Sequence, residues 1–135
     1  MLINLSNHPS HMWGKEQKEA AGARYGEVVD IAFPQIPPDA DIHAVVSLAH
    51  EYAYKCLHTL NFTDLLSFDF DSNAVHIMGE MTFTYNVVRF LGHNDITCLA
   101  SNTERISTED GAGNKTSTFV FRQFREYTPP DEISY

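Results

Sequence analysis

Three short stretches of the chain concentrate hydroxyl, amide and imidazole groups: Ser6-Asn7-His8-Pro9-Ser10, Gly79-Glu80-Met81-Thr82-Phe83-Thr84 and Ser101-Asn102-Thr103-Glu104-Arg105. The first two precede segments with helical patterning. Free N–H groups at a helix start carry partial positive charge and hold a phosphate without lysine. Arg105 adds a planar fork that grips phosphate with two hydrogen bonds. Imidazole ordinarily titrates near pH 6.5, which makes His8 the candidate for proton transfer. Each group also has a bland role open to it. Ser10, Thr82 and Thr84 can cap helices, Gly79 can permit a tight strand exit, and Arg105 can pair with Glu104 or Glu109 on a wet surface. Convergence of the three stretches on one edge of a sheet is what favours a binding site.

Other chemistries find less support. His8, His11, Glu80, Asp69 and Asp71 lack the spacing of a zinc or two-metal centre, so no metal is expected. Cys56 and Cys98 each sit in an apolar stretch and read as core thiols, not nucleophiles or a disulfide framework. No P-loop and no G-x-G-x-x-G occurs, so a dinucleotide cofactor is unsupported and no cofactor is expected. His43, His50 and His58, spaced by seven and eight, describe a helix face that is surface or dimer contact.

The elements that must position these groups follow from periodicity. Short apolar runs at Leu2–Leu5, Val28–Phe33, Ala74–Met78 and Ile96–Ala100 predict buried strands. Between them, helical patterning covers Gly14–Tyr25, a segment capped by Asp39 or Asp41 and running through Leu57, and Glu80–Gly92. Pro34–Pro38 is a rigid loop, 61–73 fits no pattern, and the Gly111–Lys115 turn leads into a last, alternating strand at Ser117–Phe124. Strand–helix alternation predicts an α/β, Rossmann-like, mostly parallel sheet with helices on both faces and an antiparallel C-terminal strand pair. Ligands in such sheets bind beyond the carboxyl ends of the strands where strand order reverses.

At 135 residues the chain fits one domain, expected over 1–127, with 128–135 as a loose tail. The formal charge of −9 repels polyanions and argues against a DNA or RNA coat. No apolar run approaches bilayer-spanning length and the N-terminus lacks a basic leader, so a soluble, cytoplasmic protein is expected.

Several longer segments, LINLSNHPS followed by Trp13, YGEVVDIAFPQIPPDAD, HIMGEMTFTYNVV, ASNTERIS and FRQFREY, make the chain resemble the small stand-alone CRISPR-associated proteins of CARF-like fold. The resemblance spans nearly the whole chain. It implies a ring nuclease that binds cyclic oligoadenylate, chiefly the four-membered ring, and cleaves it to end a type III CRISPR response. The carry-over falls on Asn7, His8, Pro9 and Ser10, on Glu80, Met81, Thr82 and Thr84, and on Ser101, Asn102, Thr103 and Arg105. Lysine is scarce in these stretches, unlike in many CARF-type sites.

The implied chemistry is metal-independent attack by a ribose 2′-hydroxyl on its neighbouring phosphate. Arg105 and the helix-start amides at Thr82 and Ser10 would stabilise phosphate, His8 would transfer the proton, and Asn7, Ser101 and Asn102 would position the ring. A cyclic tetranucleotide has approximate twofold symmetry, so a C2 homodimer is expected to enclose it. Rival expectations are a sensor or sponge that holds the ring intact, another nucleotide-processing enzyme using Glu80 as base, and an interaction protein presenting Phe62–Phe70.

Overall fold

A computed structural model describes residues 1–127, and the expected tail at 128–135 lies outside the described residues. The strands are β1 (Leu2–Ser6), β2 (Val28–Ala32), β3 (Ala74–Met78), β4 (Thr97–Glu109) and β5 (Lys115–Glu126), joined in one sheet of order β2-β1-β3-β4-β5. The first four run parallel and β5 returns antiparallel to β4. The helices are α1 (Lys15–Tyr25), α2 (Ile42–Thr59) and α3 (Met81–Gly92). This is the expected α/β architecture with its antiparallel C-terminal pair. Strand order reverses between β1 and β3, because the chain steps from β1 out to β2 and then back across to β3.

The two faces of the sheet differ in chemistry. On one, α2 and α3 bury Ala49, Ala53, Cys56, Phe83, Val87 and Leu91 against Ile3, Leu5, Val75 and Ile77. Small residues on α2 let it approach closely, and the Asp41 carboxylate caps its start by accepting from the Ala44 amide at 2.8 Å. The other face is covered by α1, which buries only Gln17 and Ala21, and by Trp13 just before it. Residues 61–73 form an irregular loop in which Phe62, Phe68 and Phe70 stack edge-on with centroids 4.9–6.2 Å apart and pack on the α2/α3 core. An aromatic triad has no fixed period, which is why sequence patterning left this segment without an element.

One expected loop is not a loop. The fourth strand does not stop at Ala100 but continues to Glu109, paired throughout with β5, so Ser101–Arg105 is ladder. Beyond Asn102 both strands of this hairpin are largely exposed, and a polar, Thr-rich strand without a core face shows no apolar run. The turn at 110–114 closes around the Asp110 carboxylate, which accepts from the Ala112 and Asn114 amides at 2.9 Å. Gly113 there has φ +83°, the left-handed region that glycine enters freely.

Candidate functional site

Each of the three short parallel strands carries one polar residue at its third position: Asn4 in Leu-Ile-Asn-Leu-Ser, Asp30 in Val-Val-Asp-Ile-Ala and His76 in Ala-Val-His-Ile-Met. Register sets Asp30, Asn4 and His76 side by side across β2, β1 and β3. Parallel pairing puts aligned residues on the same face, here the one beneath Trp13 and α1. The side chains join. Asn4 Nδ2 donates to Asp30 Oδ1 at 2.7 Å, Asn4 Oδ1 lies 2.8 Å from His76 Nδ1, and His76 Nε2 lies 3.1 Å from Ser101 Oγ on β4. Ser6 Oγ also donates to Asn4 Oδ1 at 2.8 Å.

The hydrogen bonds determine the tautomer of His76. Asn4 donates through Nδ2 to both Asp30 and the His8 carbonyl, so its Oδ1 faces the ring and can only accept. His76 Nδ1 therefore carries the hydrogen and Nε2 presents a lone pair to Ser101. His76 is 2% exposed, and burial, with a smaller contribution from nearby His8, pushes its pKa down to about 4. The ring is neutral at pH 7 and fixed between Trp13 and Phe124, with centroids at 5.4 and 5.6 Å. Asp30 loses some solvation, which raises its pKa, but hydrogen bonds from Asn4 and Ser10 outweigh that and hold the carboxyl below its usual range.

The stretches singled out in the sequence come together only in part. Ser6 and Met78 are register partners, so Asn7 and Gly79 leave adjacent strands side by side at the point where strand order reverses. Ser101 joins them, its amide and hydroxyl 3.3 and 3.1 Å from Met78 Sδ. His8 lies here with its side chain exposed, and its carbonyl accepts from Asn4 and from Trp13 Nε1. Pro9 and Ser10 open a single 3₁₀ turn, Ser10–Met12, rather than an α-helix.

Four expectations are corrected. The Ser10 amide and hydroxyl both donate to Asp30, at 3.1 and 2.9 Å to its nearer oxygens, so that amide is not open to phosphate. Glu80 is the N-cap of α3, accepting from the Thr82 amide and hydroxyl and from the Phe83 amide. The helix-start amides at Thr82 are thus already satisfied by a carboxylate, which those bonds, led by that from Phe83, hold below its usual range. Arg105 lies four residues beyond Ser101 along β4, roughly 13 Å at the rise of a strand, and bonds to Ser117 Oγ at 3.1 Å. Thr103 is carried away on the same exposed hairpin. Glu80 and Asp30 leave the rim with two carboxylates and no helix-end anion site.

Arg125, which sequence reasoning passed over, stands at the height of the site but on the α2/α3 face, opposite His76 and Ser101, because side chains alternate along the paired strands. It pairs with Ala100 across the β4/β5 ladder, and its guanidinium donates to the Asn102 side-chain oxygen at 3.0–3.2 Å. Met81 is exposed at the start of α3, while Thr84 is buried and, among the described residues, its hydroxyl has no hydrogen-bond partner. Thr84, Met78, Met81, Tyr85 and Tyr127 line a cavity of about 290 Å³ next to the rim. Gly79 is required by contact, not by backbone freedom: a Cβ there would run into the Phe33 ring.

Over residues 1–125 the chain matches the profile of a family described as the uncharacterized protein MJ1673 family. The protein belongs to this family. No curated protein and no solved structure matches it. In this MJ1673-family chain, no group of three His, Cys, Asp or Glu among the described residues is placed to hold a metal ion, and no helix there is long and apolar enough to cross a membrane. Both thiols are buried; burial pushes Cys56 up to about 12 and Cys98 higher still. The candidate site of this chain is the Asp30–Asn4–His76–Ser101 row with the loops above it. Its signal in the sequence was a polar residue at the centre of the buried strands β1 and β3, where an unpaired one costs free energy.

Proposed function

We propose that the protein binds a cyclic oligoadenylate, the tetra-adenylate ring in particular, over the β1/β3 edge and cleaves it through attack of a ribose 2′-hydroxyl, as a ring nuclease that ends type III CRISPR signalling. The observation that carries this reading is the juxtaposition of the β1 and β3 loops, at the reversal of strand order, above the buried Asn4–His76 pair. Such crevices are where open α/β sheets take ligands. His8 is the exposed imidazole for proton transfer, and Asn7, Ser101 and Asn102 position the ring. Arg125 takes the phosphate role first expected of Arg105, because it is the guanidinium level with the rim. With two carboxylates at the rim, affinity rests on neutral hydrogen bonds and base contacts more than on charge. A C2 homodimer would bring two such edges to one twofold ligand in the cytoplasm, where the thiols stay reduced.

The test is incubation of pure protein with cyclic tetra-adenylate and EDTA, followed by chromatography of the nucleotide. Linear di-adenylate ending in a 2′,3′-cyclic phosphate is expected. Intact ring co-eluting with protein would replace the enzyme with a sensor or sponge, a reading favoured by the carboxylates that already occupy the rim amides. Neither binding nor cleavage would overturn the proposal.

A further inference from the structure

We infer that Ser101 is a base-activated nucleophile, with His76 as its proton acceptor and Asn4 and Asp30 as the groups that hold the imidazole, and that it attacks phosphoester electrophiles. This is a second activity, since the ring-cleavage reading takes its nucleophile from the substrate. It stands whether or not cyclic oligoadenylate is the natural ligand.

The argument is geometric. A hydroxyl becomes a nucleophile when a bare nitrogen takes its proton and a third group orients the base. Here the Ser101 Oγ to His76 Nε2 distance is 3.1 Å, and Asn4 Oδ1 holds Nδ1 at 2.8 Å. The Asn4 amide is itself fixed by Asp30 at 2.7 Å and by the His8 carbonyl at 2.9 Å, which removes the other tautomer. Met78 Sδ also lies 3.1 Å from Ser101 Oγ, but a thioether is a weak acceptor, so the hydroxyl hydrogen goes to the imidazole. Trp13 and Phe124 grip the ring from two directions. Access is at the serine end: His76 is sealed, whereas Ser101 is half-buried beside Met78, which is 40% exposed at the rim. The sheet gains nothing in packing from a buried amide and a buried imidazole in place of valines, because burying polar groups costs free energy even when they are paired.

The step balances with the groups present. Ser101 Oγ bonds to phosphorus while its proton passes to His76 Nε2. The bond from phosphorus to the leaving oxygen breaks on the side opposite Ser101, and that oxygen takes its proton from solvent while His76 keeps the one it received. Water then attacks phosphorus from that open side and gives its proton to solvent, the Oγ–phosphorus bond breaks, and Ser101 Oγ recovers its proton from His76.

A fluorophosphonate tests this without any natural ligand, since fluoride leaves and the adduct on oxygen persists. Intact mass and peptide mapping should show one adduct, on Ser101, absent from Ser101→Ala. His76→Gln should slow labelling roughly 100-fold, the lower range for a general base. Because His76→Gln removes a buried ring, Ser101→Cys provides a second measurement in a chain that keeps it. Iodoacetamide at pH 7 should alkylate that thiol about tenfold faster than the same cysteine in an unfolded peptide, with buried Cys56 and Cys98 silent. Absence of a Ser101 adduct, labelling spread over other serines, labelling unchanged in a folded His76→Gln, or a Ser101→Cys thiol no faster than the peptide would each overturn the assignment.

Discussion

His76 makes the stability of the fold depend on pH below neutrality. Its pKa falls from about 6.5 in the unfolded chain to about 4 in the fold, so between those values the unfolded state binds the extra proton. The stability involved is complete above pH 6.5, declines as pH falls towards 4, and amounts to about 3 kcal/mol across that window. Denaturant titrations at pH 7 and pH 4.5 should show this loss in the wild-type chain and its absence in a folded His76→Gln. Thr84→Val should move in the opposite direction. Removing a buried, unpartnered hydroxyl should stabilise by about 1 kcal/mol, read as a higher melting temperature; a lower one would mean that the hydroxyl has a partner. Arg125→Ala should weaken cyclic tetra-adenylate binding by roughly tenfold, as expected for a charge-assisted phosphate contact, while Arg105→Ala leaves it unchanged. Equal losses in a titration would return Arg105 to the site.

At the scale of elements, the three short strands and the two amphipathic helices could be read from apolar periodicity, because burial dictates their residue types on every turn. The β4/β5 hairpin and the Phe62–Phe70 loop could not, since neither has a one-sided core. The site divides along the same line. The loops after β1 and β3 were legible from strand ends, but the charge assigned to them was not. Whether a helix-start amide is free depends on which carboxylate folds back on it, and Glu80 at the N-cap of α3 and Asp30 across the sheet are tertiary facts. His76 was overlooked because a polar residue inside a strand is invisible to a search confined to loops. Gly79→Ala tests the β3–α3 junction: the added methyl displaces Phe33, which stacks on Phe83 at 5.0 Å. A loss of about 1–3 kcal/mol is expected, typical of overpacking, and an unchanged denaturation midpoint would mean that Phe33 has room to move.

The whole molecule is lopsided. Two helices with continuous apolar stripes seal one side of the sheet, whereas the opposite side rests on α1, two of whose residues are buried, and on one indole. Further out, the β4/β5 hairpin projects with Phe119 70% exposed, and the C2 pairing proposed above has this arm available as a contact. Sedimentation of Phe119→Ser should shift towards monomer if the arm carries that contact, and an unaltered dimer would place it elsewhere. The thin side also governs how the molecule breathes. Local opening needs few contacts broken there, so backbone amides of α1 should exchange with deuterium well before those of α2 and α3. Each such excursion lets water reach the imidazole in the sheet, making the first helix a slow valve on the protonation of the row it covers.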